Sequence, residues 1–175
     1  MAKRGGSYIS KIPLEWRTQT ISVTDTTAVA PSTAEIDLDL QDDELAEIHC
    51  IDSAIVFGSP GEIDNNMVCG MLLSLDPDAD DTPNTVSNLR DIEVFYWHRA
   101  DRQLLLTTTG QVAVDGVSNK KWDCGKYPVM CGTNIGIVAE AESTVDTVVD
   151  FIVTVYFKRR KATAIELSQI LLKRR

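Results

Sequence analysis

Polar and apolar residues alternate along most of this chain at a spacing of two. In Ala34 to Leu40, AEIDLDL, Ile36, Leu38 and Leu40 share one side, and Glu35, Asp37 and Asp39 share the other. Side chains alternate across a strand, so this stretch predicts a half-buried strand with an acidic outer side. The same reading predicts strands over 18–24, 49–57, 67–75, 91–98, 102–108 and 135–142, with a short one over 111–114. Ala100-Asp101 is read as a tight hairpin, and Asp115 to Gly125 as a polar loop. Tyr127 to Cys131 carries no clear period. Gln41 to Glu47 is read as one helical turn or an acidic loop. The strongest run is 148–157, VVDFIVTVYF, whose β-branched and aromatic residues suit a well-buried strand.

Turn signals such as Gly58-Ser59-Pro60-Gly61 fall between these runs, and helices do not alternate with them. The expected fold is all-β: an antiparallel β-sandwich, in particular a jelly roll of about eight strands. One helix signal stands at the end. Thr163-Ala164-Ile165-Glu166 fits the capping box, and Ile165, Leu167, Ile170 and Leu171 supply an apolar face behind it. A helix this short is marginal alone and needs a surface to dock on.

Charge divides the chain into three. The net charge is −9 over 175 residues, but residues 1–17 and 158–175 together hold 11 basic residues against two acidic ones. Residues 18–157 hold 24 of the 26 acidic residues. The expected organisation is therefore a basic N-terminal arm over 1–17, a sandwich domain over 18–157 and a basic C-terminal tail with a short amphipathic helix over 158–175. Basic arms on an acidic body point to a polyanionic partner, with Lys3, Arg4, Lys158, Arg159, Arg160, Lys161, Lys173, Arg174 and Arg175 as the candidates. No helix-turn-helix, zinc finger or aromatic RNA-binding signature accompanies them, so the binding expected is electrostatic and independent of sequence.

Candidate chemistry changes this picture little. The chain has two histidines and none of the common nucleophile, zinc-protease or phosphate-loop motifs, so no enzyme, cofactor or small-molecule substrate is expected. The loop with Asp76, Asp78, Asp80 and Asp81 is the calcium candidate, but it lacks the glycine and closing glutamate of an EF-hand. A solvated acidic loop is the expected state, and no metal is expected. Cys50, Cys69, Cys124 and Cys131 form no C-x-x-C pair. Cys124 and Cys131 fit either a loop disulfide or two unpaired thiols, and buried free cysteines are the expectation. No apolar run reaches the roughly 18–20 residues that a membrane-spanning helix needs.

A small all-β domain with Lys3-Arg4 before Gly5-Gly6, strands from Thr18 to Phe157 and the tail Lys158–Arg175 resembles a single-jelly-roll viral capsid (coat) protein. The resemblance covers the whole chain at the level of architecture. It implies many copies of the chain self-assembling into an icosahedral virion capsid, with other capsid proteins as further partners. The basic termini would face nucleic acid or an anionic internal membrane. Trp16, Ile165, Leu167, Ile170 and Leu171 would be subunit contacts. The alternative is a β-sandwich module recognising carbohydrate or protein, which would expose aromatics near one end of the sandwich and stay monomeric.

Overall fold

The computed structural model describes residues 14–24, 31–57, 66–75, 94–103, 117–142, 148–166 and 168. These residues form nine strands: β1 (Glu15–Val23), β2 (Ser32–Asp37), β3 (Glu44–Phe57), β4 (Asn66–Ser74), β5 (Val94–Gln103), β6 (Val117–Asp123), β7 (Val129–Cys131), β8 (Asn134–Glu142) and β9 (Val149–Lys161). One sheet has the order β1-β9-β3-β6, with β7 also on β3, and the other has β2-β8-β4-β5.

The pairing follows from a folded ribbon. β1 pairs with β9, β2 with β8, β3 with β6 and β4 with β5, all antiparallel. Rolling that ribbon up brings β9 onto β3 and β8 onto β4. An antiparallel ribbon rolled into two four-stranded layers is the jelly roll expected from the strand count. β7 does not add a ninth position. β6 runs against Cys50–Val56, and β7 continues in the same direction against Ala46–Ile48. The two are one interrupted strand with a turn between them. Gly125 at φ 60 makes that turn, and Asp123 Oδ1 accepts its N–H at 2.8 Å. The interruption sits opposite the β3 bulge between Ile48 and Cys50.

The core lies between the layers. Phe151, Val153, Val155 and Phe157 of β9 face it, as do Ile51 and Ile55 of β3, Met71 and Leu73 of β4, and Ile135 and Ile137 of β8. Ile21 and Val23 close one side from β1. In β2 only Ala34 and Ile36 point in, and the strand ends when Asp39 turns to φ 54 with its N–H on Asp37 Oδ1 at 2.7 Å. Aspartate tolerates the left-handed region because its short carboxylate bonds the local backbone.

Several expectations are corrected. Val117–Asp123 is a strand where a polar loop was expected over 115–125. Its inward positions, Ser118, Lys120 and Trp122, are mostly polar, so the apolar period is missing. β5 runs through Ala100 and Asp101 without a hairpin, because β4 pairs with it as far as Gln103. Glu44 to Glu47 is strand, preceded by a turn at residues 42–43. β9 continues past Phe157 to Lys161, so the first cationic block belongs to the sheet. The expected strand over 111–114 and residues 104–108 lie outside the described residues.

Candidate functional site

Beyond Phe157, β9 stays paired with β3, setting Lys158 beside Glu47, Arg159 beside Ala46, Arg160 beside Leu45 and Lys161 beside Glu44. Alternation sends Arg159 to the core side and Arg160 to the outer side. Arg159 Nε donates to Glu15 Oε2 at 2.9 Å, and its Nη1 donates to the Asp39 carbonyl at 2.6 Å. Its other neighbours are the carboxylates of Asp39 and Glu44, each at 3.8 Å. Arg160 Nε lies 3.0 Å from Glu47 Oε1. Lys161 Nζ lies 3.0 Å from Asp43 Oδ2, which raises the pKa of the ammonium. The turn after β2 and the first residues of β3 thus place carboxylates around the end of β9. Single surface ion pairs add little, but a guanidinium gripped at several points fixes geometry.

The C-terminal helical turn grows out of this lattice. Glu166 Oε2 accepts the Thr163 N–H at 2.9 Å, and Thr163 Oγ1 accepts the Glu166 N–H at 3.4 Å, which is the reciprocal capping box. Arg160 grips the same carboxylate from below, Nη2 to Oε1 at 2.5 Å and Nη1 to Oε2 at 3.1 Å. That grip, followed by the Thr163 hydrogen bonds, pulls the Glu166 carboxyl down to about 2 from 4.5. The depressed pKa means the contact is intact above pH 4.5 and weakens as pH falls toward 2. In Arg160→Met the Glu166 titration is expected to move up toward the ordinary carboxylate range, while the fold persists. A carboxyl-carbon NMR titration reads this directly, and an unmoved midpoint would show that Arg160 does not hold the carboxylate.

The two outer faces of the sandwich differ. On the β2-β8-β4-β5 sheet, Leu72 and Val138 are paired across strands and point away from the core, yet each is 0% exposed. Ser74 and Glu140 on that face are buried too. On the β1-β9-β3-β6 sheet the outer face is open. Trp16 is 60% exposed, beside half-buried Tyr156. Exposed Thr18 and Thr20 follow along β1, with Thr154 and Ile152 opposite them on β9. Thr18 and Thr154 share a hydrogen bond of 2.8 Å, Ser22 donates to Asp150 at 2.5 Å, and Lys121 lies 3.6 Å from Asp52. The face mixes apolar and hydroxyl side chains, and Lys121 and Asp52 offset each other on it.

A third feature lies inside the sandwich, where sequence reasoning placed nothing. Ser53 Oγ of β3 is 2.6 Å from Tyr96 Oη and 2.7 Å from His98 Nδ1, both of β5. His98 Nε2 is 3.1 Å from Ser118 Oγ of β6. Lys120 donates to the Trp97 carbonyl and lies over the Tyr96 ring, with its ammonium 5.2 Å from the centroid. Trp122 closes the end, its ring 6.0 Å from Tyr96. Ser53, Tyr96 and His98 are buried, while Ser118 is half-buried and Lys120 exposed. The available signal was a serine in the apolar row Ile51-Ser53-Ile55, facing a row that contains a tyrosine and a histidine.

The sequence candidates are distributed unevenly. Lys158, Arg159, Arg160 and Lys161 come together at one end of a sheet, and Trp16 lies on its open face. Ile165 is 70% exposed. Lys3, Arg4, Leu167, Ile170, Leu171, Lys173, Arg174 and Arg175 lie outside the described residues. So do Asp76, Asp78, Asp80 and Asp81. No disulfide joins Cys50, Cys69, Cys124 and Cys131, and burial pushes the Cys50 and Cys124 thiols up. Among the described residues no cluster of His, Cys, Asp and Glu could hold a metal ion.

No family model and no curated protein matches the chain. Among solved structures it is similar to a chain of tomato aspermy virus, with 14% identity over 85% of this chain and 80% of that one, at a TM-score of 0.38. It is similar to the unassembled KI polyomavirus VP1 pentamer, with 11% identity over 78% and 76% and a TM-score of 0.37. It is also similar to a chain of mud crab dicistrovirus, with 11% identity over 85% and 70% and a TM-score of 0.34. All three are chains of viruses.

Proposed function

We propose that this chain is a coat protein, many copies of which assemble into an icosahedral virion shell. The jelly-roll order is a building plan used by capsid proteins, although lectins and cupins share it. The observation that carries the reading is the open outer face of the β1-β9-β3-β6 sheet. It leaves Trp16 exposed beside Tyr156 and Ile152, while the opposite sheet buries Leu72 and Val138. Exposed tryptophan on an open sheet face is the composition of a contact between proteins.

In this reading the basic residues divide into two groups. Arg159, Arg160 and Lys161 are held by Glu15, Glu47, Glu166 and Asp43, so they brace the domain. Lys3, Arg4, Lys158, Lys173, Arg174 and Arg175 serve the enclosed polyanion, a genome or an anionic internal membrane. The shell itself does no chemistry.

The test is particle mass by light scattering with negative-stain images across a salt series. Closed shells or large oligomers are the expected result. A monomer under every condition would overturn the reading and favour a ligand-binding sandwich. The triple change Lys173→Gln, Arg174→Gln and Arg175→Gln should leave the shell able to form. It should lower the dependence of nucleic-acid retention on salt, by a log–log slope of about two to three. An unchanged slope would remove those three residues from the polyanion-facing group.

A further inference from the structure

β5 and β6 are the terminal strands of opposite sheets. Where they meet, side chains span the gap: Ser53 to Tyr96 and His98, and His98 to Ser118. We propose that these contacts are a proton-operated latch that holds the β5 edge to the β6 edge and lets go in acid.

The argument starts from hydrogen-bond accounting. With His98 neutral, its Nδ1 accepts the Ser53 hydroxyl proton and its Nε2–H donates to Ser118 Oγ. Tyr96 O–H donates to Ser53 Oγ. Each of these hydrogens then has an acceptor, as a buried network requires. A second proton on the imidazole must sit on Nδ1. Nδ1 then donates to Ser53 Oγ, and the Ser53 hydroxyl has to leave it. Its alternatives are Tyr96 Oη at 2.6 Å, which would turn the tyrosine's own hydrogen away from Ser53 and leave it without that acceptor, and the Lys120 carbonyl at 3.4 Å, too long for a good bond.

Charge works in the same direction. Lys120 is exposed, but its ammonium reaches the edge of this seam, over the Tyr96 and Trp97 rings. The groups packed round His98 are otherwise uncharged: Ser53 of β3, Met71 of β4, Tyr96 of β5 and Ser118 of β6. Asp52 and Cys50 lie on the outer side of β3 and act on Tyr96. Protonation therefore puts a second cation in the seam, with no carboxylate among the described residues facing it. Burial first, and Lys120 second, hold the His98 pKa at about 4 against an ordinary 6.5. The latch adds its whole contribution to stability above pH 6.5, that contribution falls as pH drops, and it is lost below about 4, where His98 takes up its proton in the folded domain and the latch opens.

The experiment uses the full chain, at concentrations where it is monomeric or in its assembled form alike. Imidazole NMR titration should place His98 near 4 in the folded protein, and a midpoint near 6.5 would overturn the proposal. Between pH 7.5 and 3 the unfolding equilibrium should shift by about 300-fold more in the wild type than in His98→Gln. Glutamine can bond both serines without taking a proton. Equal pH profiles for the two proteins would overturn the latch. Should His98→Gln fail to fold, Lys120→Gln gives an independent reading: removing that ammonium should raise the His98 midpoint, and an unmoved or lowered one counts against the seam. Hydrogen exchange at pH 4 should rise in β5 and β6 before β1 and β9. A uniform rise would mean general acid unfolding instead of a latch.

Discussion

Replacing Phe151 with alanine is expected to lower the stability of the domain by about 3–5 kcal/mol. Phe151 sits in the middle of β9, which has β1 on one side and β3 on the other. Its cross-strand neighbours are Ile21 and Ile55, both in the core. The ring is almost wholly enclosed, so its removal leaves a cavity that three strands held in register cannot close by moving one side chain. Ile152, the next residue, points to the open outer face and is only half-buried. Ile152→Ala is expected to lose about 1 kcal/mol or less in the isolated subunit. Urea unfolding of both variants checks the pair. If Phe151→Ala were as mild as Ile152→Ala, β9 would not be the strand on which the core is built.

That contrast shows why the fold was legible in the sequence. The inward row of β9 is Val149, Phe151, Val153, Val155 and Phe157, and the run is apolar enough to stand out without any partner being known. β2, β4 and β8 were legible for the same reason, and a chain with these runs and turn signals can bury them in little else than a sandwich. β6 was not legible. Its inward residues are Ser118, which bonds His98, Lys120, which bonds the Trp97 carbonyl, and Trp122, which packs on Tyr96, so two of the three are polar. Local pattern fails where a polar network replaces apolar packing, and such places are where function or strain tends to sit. The strand that looked like a loop is the one that carries the proposed latch.

The charges were legible as a composition and misleading as a location. Lys158 to Lys161 read as the start of a tail because no carboxylate stands near them in sequence except Glu166. The residues that hold them, Glu15, Asp39, Asp43, Glu44 and Glu47, come from β1, the turn after β2 and the start of β3. Only the roll of the sheet brings those segments to the end of β9. The capping box was legible, because both of its members lie within four residues. What the sequence could not supply is that Arg160 joins it to the sheet, bridging Glu166 and Glu47.

Replacing Trp16 with aspartate is expected to abolish assembly at concentrations where the wild type forms particles, and to leave the subunit folded. This rests on the coat-protein reading. Trp16 is on β1, an edge strand that pairs only with β9 among the described residues, and its indole lies on the open face next to Tyr156. Edge strands invite pairing with another chain, and tryptophan is among the residues on which interfaces most depend. Truncating such a centre commonly costs about 2 kcal/mol or more per contact, so the concentration needed for assembly should rise by at least about 30-fold. A buried aspartate adds the cost of an unpaired charge at the interface. Inside the isolated subunit the exposed indole fills no cavity, so the urea midpoint should stay within about 1 kcal/mol of wild type. Sedimentation across a concentration series reads the first effect, and unfolding of the monomer reads the second. Normal particles from Trp16→Asp would move the subunit contact off this face. A variant that fails both tests would place Trp16 in the folding of β1 onto β9. Loss of particles with an intact subunit is the outcome that ties the open face to assembly.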